Sequence, residues 1–399
     1  MAGGVAMSYP QIRPFWKTDP SVWPARSRIV SAMSKQDTHQ HSYPPINTPG
    51  HLLANLPGVL GFYPTDSVVF LTFEPSPHGI ALGPVARVDF ADAKAATEEV
   101  WQTITTDRTE GVFAFFITQR PPSEVDTLAE WMYGLHKHND GMDIDAAWHT
   151  PEIITGGSYE ILFGAVNHEG KGPMKNWQEG KIPPLTSAPT MHHCVDKDFI
   201  PELTREELYA KLAPGNNQVG TVLGREIAER ARAAAQQFRE EIELYEDDPE
   251  LALEEFLDDA WWQLRAVQDL HATLGDVEAL ETAATWLATT WSRDLVIEKL
   301  CERPDKAAIL MLATAKTFEG VIRYNALVLY AIAQLQMERY QLAGPALNIL
   351  LEEAPEHTFG NLVHRLYRNG LASQLTEALR HSSGVARSMA LQARDGKVA

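Results

Sequence analysis

Asp66-Ser67, Arg87 with Asp89, and Thr118-Gln119 are the residues best placed by type and spacing to do chemistry. Asp66 and Ser67 precede the first apolar run that reads as a β-strand. Arg87 and Asp89 close the second, and Thr118 with Gln119 closes the run Gly111–Thr118. Ligands in open α/β sheets settle beyond the carboxyl ends of strands, which favours Asp89, Thr118 and Gln119 within this set. At such an edge a guanidinium anchors an anion while a carboxylate moves a proton. Arg87 or Arg293 would be the anchor, Asp89 or Asp66 the acid–base group, and Asp294 stands next to Arg293. The competing reading, which the sequence prefers, is turn capping and a surface ion pair.

No stronger signature displaces these candidates. Gly215, Gly220 and Gly224 are too widely spaced for a dinucleotide fingerprint, and neither a GxxxxGK[ST] loop nor a GxSxG elbow occurs. His192-His193-Cys194, with Asp196 and Asp198, is the one tempting metal cluster. Read as an extended segment, it puts His192 and Cys194 on one face and His193 on the other. Two ligands do not make a site, and no CxxC or HExxH supplies the rest. His136 and His138, at the end of an expected helix, are weaker still. The expectation is no catalytic residue, no metal and no cofactor.

Residues 1–47 read as a flexible tail: Pro10, Pro14, Pro20 and Pro24 interrupt any helix or strand period. Met33, after which the packed pattern begins, is an alternative start. Thr48 as N-cap and Pro49 in the first turn open a helix ended by Gly61, with Pro57 expected to kink or shorten it. Strands follow at 67–74 and 80–90, then a helix over 93–106 and the strand 111–118, apolar on both faces as in a covered sheet. Ser123-Glu124-Val125-Asp126 fits a capping box opening a second helix, and 144–155 and 158–165 are further strands. The order β-β-α-β-α-β-β predicts an α/β layered domain over 48–200, of about five strands with helices on both faces. Residues 166–190 read as a surface loop.

From Thr204, itself the start of a capping-box match with Glu207, the period is helical, and 201–399 is expected to be an all-α domain of paired helices. Within 321–355, Ala331, Tyr340, Ala343, Leu347 and Pro355 resemble a tetratricopeptide hairpin, whose small residues let two helices approach closely. Leu350 and Arg365 depart from it, standing where small residues are preferred. Ordinary helix packing is the equal alternative.

Composition bounds the function. The 399 residues carry 34 Lys and Arg against 53 Asp and Glu, a net charge of −19, which argues against nucleic-acid or anionic-membrane binding. Two cysteines, Cys194 and Cys301, give no disulfide framework. The longest apolar runs, 67–73 and 111–117, fall short of the ~18 residues of a spanning helix. The first thirty residues lack the apolar core of a secretory signal, so a cytoplasmic setting is expected. Acidic side chains crowd 240–259, without Lys or Arg. They suit either a solvated helical edge or contact with a basic partner, and exposure of the adjacent Trp261 and Trp262 would favour the partner.

Leu52-Leu53-Ala54-Asn55-Leu56-Pro57, followed by Leu60-Gly61-Phe62-Tyr63-Pro64-Thr65-Asp66-Ser67-Val68-Val69, resembles the opening motif of the actinobacterial family called domain of unknown function 4192. Pro84–Asp89, Ser292-Arg293-Asp294 and Ala343…Pro355 extend the resemblance over about 48–370. Val68 stands where the family tends to carry Leu, and His192–Cys194 is not part of its pattern. The resemblance implies actinobacterial origin and a cytoplasmic setting, with no activity attached. Two functional expectations follow. One is a non-enzymatic interaction or regulatory protein that offers its helical half to a protein partner. The other is an enzyme acting on a small anionic metabolite or nucleotide at the sheet's carboxyl edge.

Overall fold

Thr48 begins the first helix as its chemistry dictates. In the computed structural model its hydroxyl accepts the His51 N–H, Pro49 lies in the first turn of α1 (Pro49–Leu60), and Gly61 ends the helix at φ +81°. Pro57 does not shorten α1, because the Gly61 N–H bonds back to the Pro57 carbonyl and closes the last turn. The structure describes residues 3–6, 48–76, 79–138, 144–164, 175–215, 218–244 and 249–371, with single positions between 375 and 388. They fall into two units, Met1–Glu207 with Arg368–Gly370, and Leu208–Tyr367 with Leu371–Ala399.

The first unit is α/β. Its strands are β1 (Gly3–Ala6), β2 (Ser67–Ser76), β3 (Gly79–Asp89), β4 (Gly111–Ile117), β5 (Ala146–Thr150), β6 (Ser158–Gly164) and β7 (Glu179–Lys181). They pair in the order β1-β3-β2-β4-β5-β6-β7, antiparallel throughout except for the parallel β4–β5 pair. Six strands, β2 to β7, make a mixed sheet, and β1 lies along β3. Five strands were expected. The extra ones are β7, in the expected loop 166–190, and β1, in the expected tail. Both are too short for an alternation of apolar residues to announce them. That loop also holds the short helix α4 (Lys175–Gln178); residues 165–174 and the remainder of 1–47 lie outside the described residues.

Strand β4 is central and buried at every position, as its two apolar faces require. On one face Phe70, Ala114 and Phe116 pack against Val100 and Ile104 of α2 (Ala93–Ile104) and Val125, Leu128 and Met132 of α3 (Pro122–His138). Both helices share that face because β3-α2-β4 and β4-α3-β5 advance across the sheet in the same direction, and right-handed crossovers then fall on one side. The opposite face presents Phe113, Phe115 and Trp148, against which Trp177 packs. Gly50 of α1 meets this side too: a Cβ there would lie 2.7 Å from the Tyr159 ring. The box proposed at Ser123 is not what opens α3, which starts a residue earlier at Pro122, with the Pro121 carbonyl accepting the Glu124 and Val125 N–H groups.

The cluster His192-His193-Cys194 is helical, not extended, within α5 (Pro189–Asp196). Asn55 ties α5 to α1 by accepting the Thr190 N–H at 3.1 Å. Cys194 donates to the Gly58 carbonyl at 3.5 Å, and burial pushes its thiol up to about 12. The thiol is thus packed against α1 and held in its neutral form.

The second unit is helical: α6 (Arg205–Ala210) leads into it, followed by α7 (Thr221–Leu244), α8 (Pro249–Ala266), α9 (Leu270–Gly275), α10 (Val277–Leu287), α11 (Thr290–Glu302), α12 (Pro304–Thr317), α13 (Gly320–Gln336), α14 (Tyr340–Glu353) and α15 (Thr358–Arg368). The Thr204 box is real and reciprocal. Glu207 accepts the Thr204 N–H, and the Thr204 hydroxyl accepts the Glu207 N–H. Helices α8 and α9 are separate because Asp269 caps α9 through the Ala272 N–H. Consecutive helices α13 and α14 pack together, with Ala331, Ala343 and Leu347 fully buried.

Candidate functional site

The sheet's topology sends the ends of β3, β4 and β5 and the starts of β2 and β6 to a single edge. Ser67 pairs with Asp89 on one side and Ile117 on the other, and Ile117 pairs with Thr150. Asp66 turns the chain into β2 at φ +42°, a left-handed conformation that Asp tolerates better than most residues. Its carboxylate accepts the Thr118 hydroxyl at 2.8 Å and two N–H groups of Arg120, Nε at 2.7 Å and Nη2 at 2.8 Å. Those Arg120 bonds hold the Asp66 carboxyl below the usual carboxylate range, against a smaller opposing effect of burial. Arg120 also reaches Glu124 at 3.1 Å and lies 5.0 Å over the Phe90 ring.

Alongside, Arg87 donates through Nε to the Ser67 hydroxyl at 2.8 Å and pairs with Asp89 at 2.7 Å. Five of the six candidates in this unit are thus brought together as two adjoining clusters, and Gln119 is exposed beside them. They are engaged chiefly with each other. The proposed anion anchor Arg87 neutralises the proposed acid–base group Asp89, and Asp66 is held by Arg120. This is the pinning that turn caps and ion pairs provide.

Sequence reasoning missed Arg120 and His149. Arg120 follows Thr118 by two residues, and its only signal is a cation between a strand end and Pro121-Pro122. His149 alternates with the buried Trp148 along β5. The Thr118 carbonyl, 2.9 Å from Nε2, fixes the proton there. The other nitrogen, Nδ1, lies 3.6 Å from Glu160. His149, Ser158, Glu160, Glu179 and Lys181 border a cleft of about 440 Å³.

Arg293 and Asp294 belong to the helical unit. Arg293, only 5% exposed, donates to Asp294 Oδ1 at 2.8 and 2.6 Å and to Asn325 Oδ1 at 2.9 Å. Its guanidinium lies 4.5 Å over the Phe359 ring. Asn325 donates in turn to the Leu287 carbonyl at 2.8 Å. His357 completes this network: Nδ1 accepts the Gly360 N–H at 2.9 Å, which leaves the proton on Nε2, 3.2 Å from Asn325 Oδ1. These bonds hold α11, α13 and the start of α15 together.

Burial first, and Arg293 second, pull the His357 pKa below its ordinary 6.5. Above pH 6.5 both folded and unfolded chains carry a neutral imidazole. Below it the unfolded chain binds the proton more readily, so stability falls as pH drops from 6.5 toward the lower folded value. His357→Asn keeps an acceptor for the Gly360 N–H and removes the titration. We expect the melting temperature to fall less between pH 7 and pH 5 in this variant than in the parent. Equal slopes would show that His357 is not held neutral.

Among the described residues no group of His, Cys, Asp and Glu is arranged to hold a metal, and no helix is long and apolar enough to cross a membrane. A family model described as domain of unknown function (DUF4192) matches residues 49–374, more than half of the chain. No curated protein and no solved structure matches it.

Proposed function

The chain belongs to the DUF4192 family, whose description assigns no activity, and from the surface of its helical unit we propose a non-enzymatic protein-interaction module that docks a Lys/Arg-rich segment of a partner on α8. One observation carries this: Trp262 is 63% exposed. Helix α8 buries Leu253, Leu257, Ala260 and Leu264 inward at helical spacing. Leu251, Glu255, Asp258, Asp259, Trp262 and Arg265 are exposed and fall within one outward stripe. Leu251, 53% exposed, and Trp262 lie three turns apart with carboxylates between them. Apolar anchors flanking an acidic strip suit a basic amphipathic segment.

The molecule already shows that these rings take a cation. Arg265 lies 4.6 Å over the Trp261 ring and 5.5 Å over the Trp262 ring. The acidic run 240–259 alone suits a solvated edge as well; an exposed Trp at its end is what a solvated edge does not need. A cytoplasmic setting and the repeat-like reading of 321–355 belong to the same proposal. Two buried cysteines that form no disulfide are in keeping with a reducing compartment. Against the rival enzyme stands the mutual engagement of Asp66, Arg87, Asp89 and Arg120.

The test is titration of a fluorescein-labelled amphipathic Lys/Leu peptide with the full chain. Binding is expected to weaken with salt, and Trp262→Ala to lower affinity by a factor of ten or more, about what a central Trp anchor contributes. Circular dichroism should be unchanged, since the side chain is exposed. An acidic peptide of matched length binding equally well, or Trp262→Ala binding as the parent does, would sink the reading.

A further inference from the structure

A trough of about 470 Å³ in the helical unit is lined by Arg225, Ala228, Glu229 and Arg232 of α7 and, facing them, by Lys316 to Glu319 at the end of α12. Three cations in one concavity invert the prevailing sign of a chain whose net charge is −19. Arg225 and Arg232 are exposed and, seven residues apart, stand on one side of α7 about 10 Å from each other. Lys316 is fixed in place, its ammonium donating to the carbonyls of Lys211 at 3.1 Å and Ala213 at 3.0 Å. Gly224 lets the two walls approach: a Cβ there would already press on the Thr317 carbonyl at 3.3 Å. Gly215 and Gly224, set aside for failing the dinucleotide spacing, both border this space.

Glu229 and Glu319 also line the trough. A bare inorganic anion would be repelled by them, whereas a molecule that also carries hydroxyl groups would donate hydrogen bonds to them. We propose that the trough is a binding site for a phosphorylated polyol. Arg225 and Arg232, with Lys316 opposite, hold the phosphoryl group, and Glu229 and Glu319 accept from the hydroxyls. The volume and the two facing charged walls, rather than the first turn of α7, single out this site. It is independent of the α8 surface, and either can fail without the other.

Calorimetric titration of the full chain with ribose 5-phosphate, at fixed ionic strength, tests it. One saturable site is expected, with weaker binding of inorganic phosphate and none of ribose. Arg225→Ala combined with Arg232→Ala should weaken binding by about tenfold or more, with unchanged circular dichroism, because both side chains are exposed. Trp262→Ala should bind ribose 5-phosphate as the parent does. Absence of saturable binding, or affinity unmoved by the double substitution, overturns the site. Equal affinity for inorganic phosphate overturns the polyol.

Discussion

Replacing Arg323 with Met is expected to cost the helical unit about 2–5 kcal/mol, chiefly the penalty of leaving two buried carbonyls without a donor. Arg323 is 2% exposed, and its fork meets Glu353 through two bonds of 2.7 Å. The same guanidinium donates through Nη1 to the carbonyls of Leu212 and Ala315. Met fills the volume and strands all four acceptors. The carbonyls are the costlier loss, because the Glu353 side chain is 32% exposed and water can take up its charge. Glu353→Gln should therefore cost clearly less than Arg323→Met, and Arg323→Met combined with Glu353→Met should recover part of the loss. Urea unfolding followed in the helical unit reads all three. A loss below about 1 kcal/mol for Arg323→Met would mean that the pair does not organise the packing of α12, α13 and α14.

Much of this architecture is legible in the residues, and the gaps have physical causes. Thr48, Pro49 and Gly61 specify α1 because capping is local chemistry that no distant contact needs to approve. The run 111–117 specifies a central strand because only a doubly covered position tolerates apolar side chains on both faces. Glu179–Lys181 is different: three residues with no apolar alternation form β7 only because β6 offers them an edge. The extended reading of His192–Cys194 failed for a related reason, since the helical state of α5 is fixed by Asn55 and Gly58 far away in sequence.

The candidate residues divide along the same line. Their gathering at one edge follows from strand polarity, which the order β-β-α-β-α-β-β already implies. Their partners do not follow from it. That Asp66 meets Arg120, 54 positions on, and that Arg293 meets Asn325, 32 positions on, depends on tertiary register. The same residue types could serve a ligand or merely pin a turn; only the register shows the charges turned on one another. Trp262 was ambiguous for the converse reason. An acidic run ends three residues before it, but its exposure is a property of packing, and on this surface exposure is what carries the functional argument.

Trp148→Ala is expected to destabilise the α/β unit by about 3–5 kcal/mol, the range for deleting a fully buried large aromatic. Trp148 is 1% exposed. Its ring stacks on Phe115 at 5.3 Å and meets Phe113 edge-on at 4.9 Å. Its indole N–H donates to the Trp177 carbonyl at 2.7 Å. Beside the Trp177 ring contacts and the β6–β7 pairing, that hydrogen bond helps tie α4, hence the start of β7, to the sheet, so the substitution both opens a cavity and loosens the edge strand bordering the His149 cleft. Trp148→Phe keeps most of the ring contacts and loses the donor, so it should cost distinctly less than Ala while still loosening 175–181. Amide exchange separates the two effects: Trp148→Phe should raise exchange in β7 more than in β4, and Trp148→Ala should raise both. If Trp148→Phe leaves β7 as protected as in the parent, the indole bond does not hold that edge, and packing alone secures the cleft.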